Sequence, residues 1–441
     1  MAMIVKNNMQ ALNTLNTLNS NTNALTNSLK KVSSGMKINS AQDDASGYAI
    51  SERMRVQIRS LDQAKANTNS GNSLLKVAEG AVSSTVDILK TLKEKVINAA
   101  NDTNTDEDRA TIQKELNQSI DQINDNASVT FNGKFLVDGT HNKKTTATTT
   151  ALTNQSLDVG TATNATISAL KNRNGDSLNI QSTDTVTVSY TKNGVTHTCS
   201  MSVSNNTLSG ILDAMTQADG NTKFSKDLQF SSASSQIAAK DGSGNVVRTA
   251  SGQSALTVTA KSSGIDGQIA GLSISITDNQ GNARKAANSA LDAFGETVRA
   301  VNASEDNSIH LQIGVKANQT INVGMTDMRA VALGLQGKNG ETLNVGTREK
   351  ANAAITVLDN AIQKALDQQT SIGAAESRLD YTAANLTTAS ENVTNAESTI
   401  RDADMAKEMT EYTKNNVLMQ AAQSMLAQAN QNSSNVLSLL Q

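Results

Sequence analysis

Apolar residues recur at seven-residue intervals along the first part of the chain. A second line of positions interleaves with the first at the 3-4 spacing of a coiled-coil stripe, which predicts an amphipathic helix. Asn and Thr fill many of the positions between, and because both are weak helix formers, we expect this helix to order only on packing. The two lines are Ile4, Ala11, Leu18, Leu25 and Val32, and Leu15, Thr22, Leu29 and Met36.

Two longer apolar seams with the same spacing follow. One runs from Leu61 to Ala99, and the other runs from Ile355 to Ile400 without losing its alternation. Each predicts a long helix, and since an amphipathic stripe must be covered, we expect the two helices to pack antiparallel. A shorter helix is predicted over 112–127, and a last helix is predicted at the end of the chain. The apolar face of that last helix comprises Leu418, Ala422, Met425, Ala429, Val436 and Leu439.

The middle of the chain, from 141 to about 304, has a different pattern. TVTVSYTKNGVTHTCSMSVS alternates apolar and polar residues on both sides of Asn193-Gly194, which predicts a β-hairpin. ALTVTAKSS and GLSISIT predict further strands, while FNGKFLVDGT and IHLQIGVKANQTINVGMTDM predict small hairpins outside this region. The predicted fold is therefore mainly α with a β-rich insert, in which both chain ends build an antiparallel coiled-coil rod of long helices.

Composition excludes several classes of protein. The formal net charge of -3 lacks the basic surplus of a nucleic-acid-binding protein. No apolar run reaches the roughly 18 residues of a membrane span. The chain has no Pro, which favours long uninterrupted helices, and a single Cys, which excludes an intramolecular disulfide. The first residues lack the pattern of a cleaved signal peptide, which by itself indicates a cytoplasmic protein but leaves open export by another route.

Candidate chemical sites are weak. His197 and Cys199 lie two apart on a predicted strand and so face the same side, but two ligands fall short of a zinc site. The zinc-protease pattern H-E-x-x-H and the phosphate-binding P-loop pattern are both absent. Asp43-Asp44 and the pair Asp402 and Asp404 lie at predicted helix starts, where capping explains them better than metal binding. We predict no catalytic residue, no metal and no cofactor.

Three stretches near the chain ends carry a recognisable signature. SSGMKINSAQDDASGYAISERM resembles the N-terminal signature of the bacterial flagellins, and ENVTNAESTIRDADMAKEM and MLAQANQNSSNVLSLLQ resemble their C-terminal signature. The resemblance covers roughly residues 1–140 and 305–441 and leaves 141–304 unmatched. It implies a noncatalytic structural subunit that polymerises into the flagellar filament for swimming motility.

The resemblance also implies a domain plan and a set of partners. Terminal helices would form an inner tube called D0, the long helices a rod called D1, and the insert the outer domains D2 and D3. The subunit would be exported unfolded without a cleaved signal peptide, and it would meet an export chaperone, the filament cap and hook-junction proteins. The expected division is 1–43 (D0 helix and spoke), 44–140 (D1), 141–304 (D2 and D3), 305–401 (D1) and 402–441 (D0).

Two groups of site residues follow from this resemblance. A vertebrate Toll-like receptor reads one flagellin surface, which corresponds here to Leu89, Thr91, Lys95 and Glu115. Thr91 stands where an Arg is common and Lys95 where an apolar residue is common, so we expect weak receptor activation. The inner coiled coil is predicted to use Ile4, Leu15, Leu18, Leu25, Leu29, Val32, Leu418, Met425, Val436 and Leu439.

Three alternatives stay open at this point. A hook-filament junction protein shares the end motifs distantly. A flagellin whose insert carries an enzymatic or adhesive activity would have the same chain ends. The Ser- and Thr-rich insert is also a candidate acceptor of O-linked glycans, or a plain solvated surface.

Overall fold

The computed structural model describes residues 8–204, 206–217, 222–232, 237–249 and 253–439. The chain divides into two compact units. The five-part domain division expected from the sequence remains a prediction. Unit 1 comprises Met1–Thr68, Gln312–Gln319 and Tyr381–Gln441, and unit 2 comprises Asn69–Leu311 and Thr320–Asp380.

Long helices form both ends of the described chain, as the apolar seams predict. The two longest have 55 and 54 residues, and the absence of Pro leaves their hydrogen-bond ladders uninterrupted. The helices are α1 (Met9–Ser34), α2 (Ala45–Ala99), α3 (Asp106–Ala127), α4 (Leu208–Ala214), α5 (Lys285–Leu291), α6 (Ala330–Leu333), α7 (Arg348–Arg401) and α8 (Met405–Leu439).

The predicted seams of the long helices are covered. Every seam position of α2 from Leu61 to Ala99 is buried, and no seam position of α7 is exposed. α3 buries the apolar face predicted for it, from Leu116 to Ala127. The 3-4 alternation therefore identified the inward faces of these helices correctly.

Side-chain contacts confirm that α2 and α7 run antiparallel. In unit 1, Ser390 donates to Asp62 at 3.2 Å. In unit 2, Asn72 donates to Asp380 at 2.7 Å, and an ion pair joins Lys93 with Asp359. Within unit 2, residue numbers rise along α2 as they fall along α7, which is the register of an antiparallel pair.

The insert is built on two antiparallel sheets that share one apolar core. One sheet has the strand order β10-β4-β5 and the other β11-β3-β9-β6, and side chains from both line the core. The pairs β1-β2, β7-β8 and β12-β13 form separate two-stranded sheets. The strands are β1 (Thr130–Phe131), β2 (Lys134–Phe135), β3 (Ala151–Asn154), β4 (Thr185–Lys192), β5 (Val195–Ser202), β6 (Leu228–Ser232), β7 (Ile237–Lys240), β8 (Val246–Arg248), β9 (Leu256–Ala260), β10 (Ile269–Thr277), β11 (Phe294–Val298), β12 (Ile309–Gln312) and β13 (Thr320–Val323).

Asn-Gly pairs form the predicted tight turns. Asn132 and Gly133 have φ of 51° and 76°, and Asn193 and Gly194 have φ of 50° and 72°. Two successive positive φ values define a type I′ turn, whose twist matches that of the flanking strands. The structure therefore confirms the hairpins β1-β2 and β4-β5 that the sequence predicts.

A glycine lets the sheet of the insert lie directly on α7 within unit 2. A Cβ at Gly271 would lie 2.5 Å from Thr356 Oγ1, so no larger residue fits between β10 and the helix. Asn360 of α7 donates its side-chain amide to the carbonyl of Ala270 at 2.8 Å. This hydrogen bond adds a polar link between β10 and α7.

Two ionisable side chains of unit 2 are buried. Burial raises the pKa of Glu296 on β11, although Arg299 contacts it at 3.2 Å. Burial also lowers the pKa of Lys364 on α7, whose Nζ donates to the carbonyl of Ala332 at 2.7 Å. Both shifts have the sign expected when a charge loses its water.

Candidate assembly surface on the terminal helices

α1 and α8 pack against each other antiparallel within unit 1. Asn21 donates to the carbonyl of Leu418 at 3.2 Å, and Asn415 donates to the hydroxyl of Ser28 at 3.0 Å. Asn8 at the start of α1 donates to the carbonyl of Ala429 at 3.3 Å. Small and polar side chains therefore form much of this contact, which lets the two backbones come close.

Only one of the two apolar lines predicted on α1 faces α8. Leu18, Leu25 and Val32 are half-buried and confirm the first predicted line of α1, but Leu15 and Leu29 of the second line are exposed. The covered second line lies one residue earlier, at 14, 21 and 28. The reason is that amide and hydroxyl groups at 21 and 28 hydrogen-bond to α8, which fixes the rotation of α1 about its axis.

The apolar face predicted for α8 is likewise covered only in part. Ala422 and Ala429 are buried against α1 as predicted for this face, while Leu418 and Met425 are exposed. Leu418 and Met425 therefore do not belong to the contact between the two helices of one chain. Ile4 lies outside the described residues, as do the side chains of Val436 and Leu439.

Large apolar side chains of the pair remain exposed to solvent. Their exposed fractions run from 41% at Leu15 to 61% at Met425. Because small and polar side chains form much of the contact between α1 and α8, a large part of the apolar surface of this helix pair is still to be buried. We call these residues the outer apolar set: Met9, Leu12, Leu15, Leu29, Met405, Met409, Val417, Leu418 and Met425.

The chain segments that follow α1 and precede α8 pair with each other. Gly35 ends α1 with φ of 71°, a left-handed conformation in which a helix commonly stops. The amide of Lys37 donates to the carbonyl of Arg401 at 2.8 Å, and the amide of Ala403 donates to the carbonyl of Gly35 at 2.9 Å. We call Gly35–Lys37 and Arg401–Ala403 the joint, because this short ladder ties the two terminal helices together.

Arg401 fixes the joint to the start of α2. Its guanidinium, 7% exposed, contacts Glu52 at 2.7 Å and lies over the ring of Tyr48 at 5.5 Å from the centroid. The hydrogen bond from Arg401 holds the pKa of the Glu52 carboxyl below its usual value. The stretch of Gly, Ser and Asp residues near the N-terminus is therefore held by contacts from the other end of the chain.

Two of the four acidic residues at the helix starts act as predicted. Asp44 accepts the amides of 46 and 47 at 3.0 Å at the start of α2. Asp404 accepts the amides of 406 and 407 at 3.0 and 3.2 Å at the start of α8. Both side chains satisfy amides that have no partner within the helix, which confirms the capping interpretation for them.

The other two acids do not cap these helices. Asp43 accepts the amide of Ser40 at 2.9 Å and closes the loop before α2, and this hydrogen bond lowers the pKa of its carboxyl. Asp402 accepts the hydroxyl of Ser398 at 2.6 Å. The capping prediction is wrong for Asp43 and Asp402, because their carboxylates accept hydrogen bonds from Ser40 and Ser398, which precede the helices α2 and α8.

Comparison with known protein families identifies both ends of the chain. The bacterial flagellin N-terminal helical region matches residues 5–142, and the bacterial flagellin C-terminal helical region matches residues 355–440. The chain belongs to the bacterial flagellin family.

Whole-chain relatives agree with this assignment. Flagellin of Clostridium tyrobutyricum is 35% identical over 430 residues, which cover 97% of this chain and 99% of that protein. Flagellin of Bacillus subtilis strain 168 is 31% identical over 459 aligned residues, which cover 99% of this chain and all of that protein. The solved structure of FliC from Burkholderia pseudomallei is 18% identical, covers 70% of this flagellin and 99% of that chain, and has a TM-score of 0.26.

The residues proposed for receptor contact in this flagellin lie in different environments. Leu89 is fully buried in the α2 seam, so its assignment to a receptor-facing surface is wrong. Thr91 and Glu115 are exposed, and Lys95 Nζ lies 3.1 Å from Glu115 Oε1. The acidic side chain of that surface is therefore paired with Lys95.

The remaining candidates for chemistry stay unremarkable. His197 and Cys199 are both half-buried on β5, and the His197 ring lies 5.1 Å from that of Tyr190. Within the described residues, no group of three or more His, Cys, Asp or Glu side chains could hold a metal ion. The described helices include none that is long and apolar enough to cross a membrane.

Sequence reasoning missed several residues of this flagellin's surface. Met9, Leu12 and Val417 lie beside the heptad lines rather than on them. Met9 and Leu12 are three residues apart, so a search for apolar pairs with that spacing next to the lines would find both. Arg401 is followed directly by Asp402, and nothing in this local sequence indicates that its guanidinium is buried against Glu52 and Tyr48.

Proposed function

We propose that this flagellin, the structural subunit of a bacterial flagellar filament, assembles by burying its outer apolar set against neighbouring subunits. The observation that carries the proposal is the exposure of large apolar side chains on α1 and α8, while small and polar side chains form much of the contact between the two helices. A helical array in which one surface meets a different surface on the next copy can grow without limit. The mechanism is noncatalytic.

The size of the surface accounts for growth at a filament end. Fully burying a Leu or Met side chain contributes about 1.5–3 kcal/mol, so covering a half-exposed one contributes about 1 kcal/mol. The nine described members of the set then supply roughly 9 kcal/mol. Association itself costs about 4–15 kcal/mol, so two free subunits gain little. A subunit that contacts several neighbours at once stays bound to the filament end, so elongation is favoured over nucleation.

The same surface needs a cover before assembly. The five exposed apolar residues of α8 are spread along one helix, from Met405 to Met425. A groove that accepts the apolar face of a helix would suit them, and a dedicated export chaperone would provide it. In this proposal the subunit is exported unfolded to the outside of the cell, where the filament meets cap and hook-junction proteins at its two ends.

Recognition by a vertebrate Toll-like receptor would be weak. Thr91 supplies no guanidinium, and the ion pair between Lys95 and Glu115 occupies the acidic group that a receptor would otherwise contact. Breaking that pair to bind a receptor would cost part of the contact energy gained.

Seeded polymerisation tests the assembly proposal. The full chain and a version lacking 1–40 and 402–441 are added to sheared filaments and viewed by negative-stain electron microscopy. We expect the full chain to elongate the seeds and the shortened chain to remain in solution. Equal elongation by the shortened chain would refute the role of the terminal helices. Addition of a short, self-limiting segment by the full chain would instead favour a junction protein.

A further inference from the structure

β5 lies at the edge of its sheet. The two-residue turn at Asn193-Gly194 makes Lys192 and Val195 a hydrogen-bonded pair, so alternate residues of β5 bond to β4. The N–H and C=O groups of the intervening residues 196, 198 and 200 point away from the sheet. Within the described part of the chain, no strand pairs with this side. Thr196 is buried, so the accessible edge runs from Thr198 to Ser202.

This edge lacks the features by which proteins usually block strand pairing. VTHTCSMS, the sequence of β5, contains no Pro, Lys, Arg, Asp or Glu, and its register with β4 shows no bulge. The opposite edge of the same sheet is blocked. There, Asn288 accepts the amide of Ile276 at 2.6 Å, and the amide of Arg284 donates to the carbonyl of Ile276 at 3.0 Å.

A second copy of β5 fits this edge. Only an extended strand offers donors and acceptors at the spacing that an open edge requires. An uncharged strand meets its own copy without like-charge repulsion. A two-fold axis beside Cys199 would pair Thr198 of each copy with Ser200 of the other, and both residues carry outward backbone groups. The two Cys199 residues would then form a non-hydrogen-bonded pair with Cα atoms about 4.5 Å apart.

We propose that β5 pairs antiparallel with β5 of a second copy and joins two flagellar filaments side by side. The proposal rests on the proposed filament function. The copies must belong to different filaments, because subunits within one polar helical filament are related by a screw rotation and not by a two-fold axis. One such contact is short and weak, but many contacts along two parallel surfaces act together and raise the overall affinity.

Lateral association of assembled filaments tests this proposal. Filaments of wild type, Ser200→Lys and the matched surface control Ser243→Lys are compared by light scattering and negative-stain electron microscopy. Ser200 and Ser243 are both exposed, but only Ser200 lies on the edge of β5. In a two-fold pair, Ser200→Lys places two ammonium groups diagonally across the contact, where like charges repel. We expect wild type and the control to associate side by side and Ser200→Lys filaments to stay single.

The sole cysteine reports the register without an added label. Mild oxidation of associated wild-type filaments should give covalent dimers on a non-reducing gel, because the expected Cα separation suits a disulfide. These dimers should be absent from Cys199→Ser and lost in Ser200→Lys. Dimers formed equally by wild type and Ser200→Lys would overturn the proposal.

Further outcomes separate this proposal from the filament function. If wild-type filaments stay single, the β5 contact is overturned and the filament function is left intact. Side-by-side association of both Ser200→Lys and Thr198→Lys filaments would lead to the same conclusion. Failure of the wild-type chain to elongate seeds would instead overturn the filament function.

Discussion

Leu29→Ala isolates the apolar contribution of the outer apolar set to assembly. Leu29 is 50% exposed on α1, and its side chain makes none of the hydrogen bonds that join α1 to α8. Ala is a better helix former than Leu, so the substitution does not weaken the helix itself. Any loss of assembly must then come from the apolar carbons removed.

The expected loss follows from the area still exposed. The substitution removes three carbon groups, each of which contributes about 0.8 kcal/mol when fully buried. Since half of the side chain is already covered in the single chain, assembly gains about 1.2 kcal/mol from them. A tenfold change corresponds to about 1.4 kcal/mol, so the critical concentration for elongation should rise about sevenfold.

The assay measures the soluble subunit concentration that remains after seeded elongation reaches a plateau. Val246→Ala is the control, because Val246 is similarly exposed, at 44%, on a strand of the insert. We expect the control to change the critical concentration by no more than about twofold. The reasoning is refuted if Leu29→Ala and Val246→Ala give the same critical concentration.

Three further predictions concern the joint, a buried acid and the receptor surface. Arg401→Met should lower hydrogen-exchange protection at the joint more than Arg55→Met does. Arg401 is buried, whereas Arg55 contacts the same Glu52 carboxylate from an exposed position. Equal effects of the two substitutions would contradict the role of burial. Burial raises the pKa of Glu296 above 4.5, so the stability it contributes is present below that pH and lost as pH rises through the folded value. The melting temperature of Glu296→Gln should therefore rise relative to wild type from about pH 4.5 upward, and a constant difference would be inconsistent with this. Thr91→Arg should increase the response of receptor reporter cells, and an unchanged titration would count against the proposed surface.

Much of the architecture followed from local patterns. The seam from Leu61 to Ala99 repeats long enough for its buried face to be certain from periodicity, because a helix of that length cannot rotate without exposing many apolar residues at once. Asn193-Gly194 identified its turn because few residue pairs accept two positive φ values. These features depend on neighbours in sequence, so sequence was sufficient.

The candidate site was predicted less completely. Leu15, Leu18, Leu25 and Leu29 were all predicted for the inner coiled coil. In the structure Leu18 and Leu25 are half-buried, while Leu15 and Leu29 are exposed. Apolar side chains serve equally well inside one chain and between chains. Periodicity therefore identified the apolar residues of the terminal helices, but it did not show which surface each one faces.

The amino-acid sequence by itself determined the long helices, the tight hairpins of the β-rich insert and the family, because heptads, Asn-Gly pairs and terminal motifs are local. Only the tertiary structure decided the rotation of α1 against α8, the burial of Arg401 and the open edge of β5. Each of these depends on hydrogen bonds between residues far apart in the chain, or on which strand has no neighbour. Such relations arise from the meeting of elements in space, and no local pattern encodes them.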